Sequence, residues 1–513
     1  MPARTGAQFL DGLRSRRRWL ALEGELVKDP TDHPQLAGAA HTLAGVFDRQ
    51  HDFADECLIP DPETGEAINI SHMLPRSKED LWRRFHGLRR ISEHTVGLMG
   101  RTPDYMNVKF ASFAARHADW RDGGRADDLG DNLVAFQHHL ARDDISLTHT
   151  IIQPNVDKRT DGAILGNKVT LHKVADTEHG IVVRGARILA TLAPFADEIA
   201  VYPALPLPDG AEDYALAFAI PVDLPGLKFL CRDSTTVATN PFDRPLSSRF
   251  DEQDAFVIFD DVEIPRDRLF LDGRPGSVTI YNAVTRTGLL DNMTTQSTIR
   301  ALTKLEFAYG LATRIAEAIG DYSPATMEML GELLSYVEVT RNALIASMHD
   351  GYINTDDGVW FPGGRALTPM RSLLATWMPR VNEIITLIGS HNLLATPTLG
   401  LLQDPDTRPL IDEFLHGADG TDAVERAALF RLAWEFVGSN LGGRNVLYER
   451  FYLTSAGRNR MLAHLANTDR SRPYELVDHI LAAGREAIGE SRRHDSPREH
   501  LDAGLAWKDA VTT

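Results

Sequence analysis

The segment 99–110, MGRTPDYMNVKF, brings a cation and a phenol together at the start of a predicted helix. Thr102 can cap that helix and Pro103 can be its first residue, because the N–H that proline lacks would be unpaired there anyway. Arg101 then lies just before the helix and Tyr105 just inside it, which suits the binding of a small oxyanion or a phenolate. A surface arginine beside a core tyrosine is the alternative, and this segment alone leaves both open.

A single histidine, His149, stands between two threonines in the segment 144–158, DISLTHTIIQPNVDK. An imidazole has an ordinary pKa of about 6.5, so it can hold or move a proton near neutral pH. The pattern fits a buried structural histidine equally well. Thr191, in the segment 185–199, GARILATLAPFADEI, is likewise consistent with a simple buried strand and turn.

Three successive regions must position these residues. Residues 1–145 show helical spacing, and the basic run RSRRR at 14–18 is predicted to lie on the solvated face of a short helix that includes Trp19 to Leu22. Residues 146–278 carry β-branched runs between turn residues, which predict an antiparallel β domain. Residues 279–480 predict a helix bundle and 481–513 a charged tail. The predicted fold class is α+β.

The composition excludes several classes of function. With 54 basic and 72 acidic residues the net charge is −18, which disfavours nucleic acid and membranes as partners. No leader or long apolar run is apparent, so a cytoplasmic location is expected. Two cysteines, Cys57 and Cys231, cannot form a disulfide framework or a cysteine-rich metal site. The neighbouring His138 and His139 point in different directions on a helix, so no metal site is predicted.

Four ordered segments together resemble the large oxygenase component of two-component, reduced-flavin-dependent phenol monooxygenases. The best-known group is the 4-hydroxyphenylacetate 3-monooxygenase family, which includes chlorophenol and nitrophenol monooxygenases. The segments are RTPDYMN (101–107), DISLTHTIIQPNVDK (144–158), GARILATLAPFADEI (185–199) and GGRNVLYERFY (442–452). The resemblance implies an acyl-CoA dehydrogenase-like fold: an N-terminal helical domain, a central antiparallel β domain and a C-terminal helix bundle that forms a homotetramer.

The same resemblance implies an activity. The chain would take FADH2 from a separate flavin reductase, react it with O2 through a C4a-hydroperoxyflavin, and hydroxylate a phenolic substrate in aromatic compound catabolism. The substrate would be like 4-hydroxyphenylacetate, a halophenol or nitrophenol, or a larger natural-product phenol. An FAD-dependent acyl-CoA dehydrogenase-like oxidoreductase is the alternative, because fold alone does not fix function.

By similarity to the family, Arg101, Tyr105 and His149 are the catalytic residues and surround the substrate hydroxyl. Ala204 and Leu205 would line the far end of the substrate. The residues expected to contact the flavin are His149, Thr150, Ile151, Asn155, Val156, Asp157, Lys158, Thr191, Ser439, Gly442, Gly443 and Arg444.

Two departures from the family pattern bear on these expectations. Asn155 and Lys158 stand where glutamine and arginine are common, so a point charge would replace a guanidinium fork. Ala204 and Leu205 stand where hydroxyl side chains hold the carboxylate of hydroxyphenylacetate. The far end of the substrate is therefore expected to be apolar, bulky or uncharged.

Overall fold

The N-terminal region of the computed structural model is mainly helical. The structure describes residues 3–117, 129–154, 156–157, 166–203, 207–236, 240–273, 289–353, 358–467 and 470–487. The elements of the first part are α1 (Gly6–Ser15), β1 (Trp19–Leu22), β2 (Glu25–Leu26), α2 (Ala37–Asp52), α3 (Ala54–Cys57), β3 (Leu58–Pro60), β4 (Ala67–Asn69), α4 (Lys78–His94), α5 (Pro103–Ala115) and α6 (Leu129–Arg142).

The prediction of a helix through the basic run 14–18 to Leu22 is wrong. Helix α1 ends at Ser15, and Trp19–Leu22 is a strand that pairs in parallel with the distant segment Leu227–Cys231. Arg18 is buried rather than solvated, and its Nη1 donates to the carbonyl oxygens of Pro194 and Ala196. A tertiary pairing has overridden the local helical pattern.

Helix α5 begins where the sequence predicts, with Pro103 as its first residue. The side chain of Thr102, however, makes no capping hydrogen bond. Every residue of α5 is buried, so this helix is packed on all sides. Arg101 and Tyr105 are thereby held at a helix start inside the protein.

The central region forms two sheets among the described residues. Its strands are β5 (Leu147–Thr150), β6 (His172–Asp176), β7 (Gly180–Thr191), β8 (Glu198–Val201), β9 (Leu216–Pro221), β10 (Leu227–Cys231), β11 (Asp254–Pro265) and β12 (Leu269–Asp272). The six-stranded sheet has the order β2-β1-β10-β11-β7-β6 and the four-stranded sheet the order β12-β9-β8-β5. Most pairs are antiparallel, but β1 pairs with β10 and β5 with β8 in parallel.

The third region is again helical, as predicted. Its elements are α7 (Leu289–Ala318), α8 (Pro324–His349), β13 (Tyr352–Ile353), β14 (Trp360–Phe361), α9 (Gly364–Leu367), α10 (Met370–Gly389), α11 (Leu399–Gln403), α12 (Arg408–Phe414), α13 (Ala423–Val437), α14 (Asn440–Phe451), α15 (Ala456–Ala466) and α16 (Ser471–Ala487). None of the described helices is both long and apolar enough to cross a bilayer.

A separate buried cluster joins α5 and α6 to the four-stranded sheet. Phe110 of α5 contacts Phe136 and Phe270, and Phe113 contacts Tyr202, each in an edge-to-face arrangement. Aromatic contacts of this kind add to the free energy gained by burial alone. The cluster fixes the face of α5 that carries Tyr105 against the strand that carries His149.

Candidate active site

The guanidinium of Arg101 is enclosed by tyrosine rings. Its Cζ lies 4.0 Å from the ring centroid of Tyr105, 4.2 Å from that of Tyr452 and 5.8 Å from that of Tyr448. Its Nη1 is buried and has no hydrogen-bond partner among the described residues. No ion pair joins this side chain to a carboxylate in the described part of the chain. Glu252 accepts the backbone N–H of Arg101 at 2.5 Å and a guanidinium N–H of Arg444 at 2.8 Å. The site therefore holds a half-buried cation with a buried N–H donor that could bind an anion.

Two of the enclosing tyrosines, Tyr448 on α14 and Tyr452 directly after it, were not predicted from the sequence. Arg444, Tyr448 and Tyr452 lie four residues apart, a spacing that puts them on one face of a helix. Tyr452 Oη donates to the carbonyl oxygen of Gly100 at 3.1 Å. A side chain at Gly100 would collide with the ring of Tyr448, so glycine permits this close approach. The helical spacing within GGRNVLYERFY was the signal that could have identified them.

His149 lies on β5 between two aromatic rings. Its ring stacks on that of Tyr105 at a centroid distance of 5.7 Å and on that of Tyr202 at 5.8 Å. Burial lowers the pKa of His149 well below its ordinary value, and the charges of Arg101 and Lys109 lower it further. The imidazole is therefore neutral at pH 7, and one of its ring nitrogens can accept a hydrogen bond.

Tyr105 is buried beside both of these groups. Burial raises the pKa of its hydroxyl to about 12, against the opposing effect of the Arg101 charge. Tyr105 therefore keeps its proton and can donate a hydrogen bond at neutral pH. The three residues predicted to be catalytic, Arg101, Tyr105 and His149, thus lie in mutual contact through Tyr105.

The hydroxyl of Thr191 is already used as a donor. Its Oγ1 lies 2.6 Å from Asp254 Oδ1, and its carbonyl oxygen accepts from Thr148. A hydroxyl that donates to a carboxylate retains lone pairs that can accept. Leu189 and Leu192 on either side have φ of 67° and 65°, a left-handed backbone that is costly for leucine. This strained segment fixes the direction of the Thr191 side chain.

Arg444 is held by carboxylates rather than free for a ligand. Its Nη1 donates to Glu252 Oε2 at 2.8 Å, and its Nη2 donates to Asp254 Oδ1 at 3.0 Å. The direct contact of Arg444 with a flavin stays a prediction; the contacts that Arg444 makes here hold Glu252 and Asp254. Through Asp254, Arg444 connects α14 to the hydroxyl of Thr191.

Ser439 and Gly442 form the amino-terminal cap of α14. Ser439 Oγ accepts from the backbone N–H of Gly442 at 3.1 Å and donates to the carbonyl oxygen of Glu435 at 2.7 Å. This capping bond explains both residue types without a ligand. Gly443 is exposed, with open space where a Cβ would lie. The cap starts the helix that delivers Tyr448 and Tyr452.

The remaining predicted residues divide into two groups. Thr150 is buried and donates to the carbonyl oxygen of Ile188 at 3.0 Å, while Ile151 is half-buried beside the aromatic cluster. Val156 is 68% exposed and Asp157 is half-buried. The other predicted residues, Asn155, Lys158, Ala204 and Leu205, lie outside the described residues.

A buried ion cluster supports the tyrosine face of α14. Arg300 on α7 donates from Nη1 and Nη2 to the two carboxylate oxygens of Glu449, at 2.8 and 2.9 Å, and Lys304 Nζ lies 3.0 Å from Glu449 Oε1. Burial alone would raise the pKa of Glu449, but the two cations hold it at about 2. Arg300 also lies over the ring of Tyr452 at 4.9 Å. The cluster fixes α14 against α7.

Replacing Glu449 by glutamine is expected to lower the free energy of unfolding by about 3–5 kcal/mol, because Arg300 and Lys304 would remain buried without a counter-charge. Urea or thermal unfolding measures the change. The matched control is Glu425→Gln, which removes an exposed pair with Arg314 and should cost less than about 1 kcal/mol. Equal losses in the two variants would contradict a role for the buried cluster.

Comparison with known proteins adds to this geometry. The N-terminal and C-terminal models of the 4-hydroxyphenylacetate 3-hydroxylase family match residues 5–271 and 280–482. The 4-hydroxyphenylacetate 3-monooxygenase oxygenase component of Thermus thermophilus is 37% identical over 476 residues, which are 92% of this chain and 96% of that protein. The 4-nitrophenol 2-monooxygenase oxygenase component of a Rhodococcus species is 30% identical, over 87% of this chain and 85% of that protein.

A solved structure extends the comparison to the fold. The crystal structure of the oxygenase component of 4-hydroxyphenylacetate 3-monooxygenase, complexed with FAD and 4-hydroxyphenylacetate, superimposes with a TM-score of 0.88 at 35% identity. The match covers 95% of this chain and 100% of that chain. The predicted α+β, acyl-CoA dehydrogenase-like fold class is thereby confirmed.

Proposed function

This chain belongs to the 4-hydroxyphenylacetate 3-hydroxylase family, and we propose from that membership that it hydroxylates a phenol as the oxygenase component of a flavin-dependent monooxygenase. One observation carries the proposal: the half-buried Arg101 side chain has a buried Nη1 without a partner among the described residues and forms no ion pair with a carboxylate there, and it lies over the ring of Tyr105, which stacks on the neutral His149. Such a cation favours the ionised form of a bound phenol. The relatives are named monooxygenases, which argues against the acyl-CoA dehydrogenase-like alternative.

The cofactor of the proposed reaction is FAD in its reduced form, with O2 as co-substrate. When bound, reduced FAD supplies the two electrons that activate O2. Two polar atoms fit such a group. Thr191 Oγ1 keeps a lone pair that can accept from an N–H of the flavin, and Nε of the buried Arg187 on the same strand is a donor without a partner among the described residues. Arg444 and Asp254 hold Thr191 in place.

The protein's own part in the reaction is to bind and ionise the phenol. Arg101 stabilises the phenolate, which makes the ring richer in electrons, and His149 accepts the phenolic proton. Tyr105 donates a hydrogen bond to the same oxygen, and its ring contacts both Arg101 and His149. The aromatic cluster between α5 and the four-stranded sheet excludes water from this side.

The proposal includes the partners expected from the sequence. A separate flavin reductase would supply reduced FAD, in keeping with the name "oxygenase component" of the relatives. A homotetramer formed through the C-terminal helices is supported by exposed apolar side chains on these helices. These side chains include Leu447, Phe451, Leu476, Val477 and Ile480. Light scattering would test the tetramer by measuring the number of subunits in the assembly. A cytoplasmic location is part of the same proposal.

The test is a panel of phenols incubated with the purified chain, O2 and reduced FAD from any flavin reductase. We expect a hydroxylated product from at least one class of phenol, with little hydrogen peroxide. The panel should compare 4-hydroxyphenylacetate, halophenols, nitrophenols and larger phenols. Release of peroxide alone with every phenol, while a characterised family member gives product in the same assay, would overturn the proposal.

A further inference from the structure

Glu252 is a carboxylate with an exposed fraction of 0% that lies two residues before the start of β11 at Asp254. Its Oε1 accepts the backbone N–H of Arg101 at 2.5 Å, and its Oε2 accepts from Arg444 Nη1 at 2.8 Å. A buried carboxylate is costly unless its oxygens are paired, and both oxygens of Glu252 are. The sequence did not predict a role for this residue, yet each of its oxygens binds a different part of the proposed active site.

Asp254 extends these contacts to the strand that carries Thr191. Its Oδ1 accepts from Thr191 Oγ1 at 2.6 Å and from Arg444 Nη2 at 3.0 Å. Arg444 therefore lies between two carboxylates and donates to both. The hydrogen bonds form one continuous chain, whose members in order are Arg101, Glu252, Arg444, Asp254 and Thr191. The backbone of Arg101 is thereby connected to the hydroxyl of Thr191.

The backbone that follows Glu252 is fixed to the same strand. The carbonyl oxygen of the next residue, Gln253, accepts the backbone N–H of Leu192 at 2.8 Å. Asp254 in turn pairs with Thr191 in the six-stranded sheet. This short segment therefore reaches from the end of β7 to the backbone just before α5, and the side chain of Glu252 completes the connection.

The two ends of this chain belong to the two reactants, since Arg101 is proposed to bind the phenol and Thr191 to contact the flavin. We infer that Glu252 is a positioning residue that sets the distance between phenol and flavin, and thereby decides whether oxygen reaches the phenol or is lost as hydrogen peroxide. This role rests on the proposed function, because it assumes those two contacts. A displacement of about 1 Å between reacting groups can slow a reaction about 100-fold, so a short bonded link between their binding residues has a large effect.

Two reactions compete for the same electrons. Reduced FAD supplies two electrons and two protons in both. With the phenol in place, these and one O2 give the hydroxylated phenol, one water and oxidised FAD. With the phenol displaced, they give hydrogen peroxide and oxidised FAD. The share of the consumed O2 that appears as product therefore measures how well the phenol is placed.

The contacts of Glu252 separate position from charge. It accepts the backbone N–H of Arg101 rather than an N–H of the guanidinium, so its removal leaves the cation of that residue in the site. Its own charge is paired with Arg444, which is also paired with Asp254. Burial would raise the pKa of Asp254, but the charges of Arg444 and Arg232 hold it below its ordinary value, so this carboxylate stays ionised near neutral pH. Loss of Glu252 should therefore displace Arg101 without removing the charge that ionises the phenol.

The experiment uses Glu252→Gln in the full chain. The amide can accept from only one of the two donors, because its NH2 group faces the other. We expect kcat/KM for a phenol to fall about 10-fold and the share of O2 released as hydrogen peroxide to rise severalfold, whereas the pKa of a bound nitrophenol should stay as in the wild type. The change that a phenol causes in the absorbance of bound oxidised FAD reports their proximity without turnover, and it should become smaller in the variant.

Two further variants separate distance from charge and from stability. Glu252→Asp keeps the charge but is one methylene shorter, so it cannot reach both donors and should raise the peroxide share as Glu252→Gln does. It also carries the same test if Glu252→Gln does not fold. The matched control is Asp61→Asn, because Asp61 is 5% exposed and likewise accepts a backbone N–H, from Thr64, and an N–H of Arg142, in the turn between β3 and β4. It should leave the product share unchanged, and urea unfolding measures the stability of every variant.

An unchanged product share in both Glu252 variants would overturn the positioning role, and so would an equal fall in Asp61→Asn. Full rescue by Glu252→Asp, with a shifted pKa of the nitrophenol bound to Glu252→Gln, would show an effect of charge and would refute a role in distance. The wild type tests the other level. If it hydroxylates no phenol, the proposed function fails, and the FAD spectra alone then decide whether Glu252 sets the distance. If it gives product and the variants match it, the function stands and the role of Glu252 is refuted.

Discussion

Replacing Arg101 by methionine is expected to lower kcat/KM for phenol hydroxylation by about 10²- to 10³-fold, because a cation about 4 Å from the phenolate is worth roughly 4 kcal/mol before desolvation subtracts. The guanidinium forms no ion pair with a described carboxylate, and its buried Nη1 has no partner there, so this donor is available to the phenolate. The loss should appear both as slower product formation and as a larger share of hydrogen peroxide. Oxygen uptake and product analysis measure the two quantities.

A binding measurement separates this electrostatic role from a structural one. The absorbance of a bound nitrophenol reports its ionisation, and we expect its pKa to rise by roughly 2–3 units in Arg101→Met. Arg184→Met is the matched control, since Arg184 is an exposed strand residue paired with Asp261. An unchanged pKa of the bound nitrophenol would contradict the assignment of Arg101, even if turnover fell.

The convergence of Arg101, Tyr105 and His149 could be expected from the sequence, because each belongs to a segment that resembles the family. The helix start at Pro103 was also accessible, since it depends on local chemistry alone. The contacts of Arg444 could not be predicted from the sequence, because its partners Glu252 and Asp254 lie about 190 residues away in the chain. A family resemblance can identify a residue, but only the folded structure shows which hydrogen-bond partners its donors have.

Packing between distant segments also explains one wrong prediction, the helix at Trp19–Leu22, and one buried residue, Lys109, that the sequence did not reveal. The strand Trp19–Leu22 reads locally as part of a helix, yet its partner is β10 in the central region. In the sequence, Lys109 is one polar residue in a helical pattern. Its burial follows from the fold, in which Tyr202, directly after β8, packs against α5. No local periodicity carries that information, since both contacts join segments far apart in sequence.

His149→Ala should lower the rate of hydroxylation of an ordinary phenol by about 10²- to 10⁴-fold, the usual contribution of a general base. The physical reason is that a phenol with a pKa of about 10 must lose its proton before the ring is activated. A nitrophenol, already ionised at pH 8, needs no base and should react nearly as fast in the variant as in the wild type. Comparison of the two substrates therefore isolates proton transfer from the other consequences of removing the ring.

The pH dependence gives an independent test of the same residue. Because the folded pKa of His149 lies well below its ordinary value of about 6.5, the imidazole stays neutral as pH falls through that value, and kcat/KM of the wild type should show no histidine break there. In His149→Ala the rate with an ordinary phenol should instead rise about tenfold per pH unit toward the pKa of the substrate. If alanine slows both substrates equally at every pH, then His149 supports the stack of Tyr105 and Tyr202 and moves no proton.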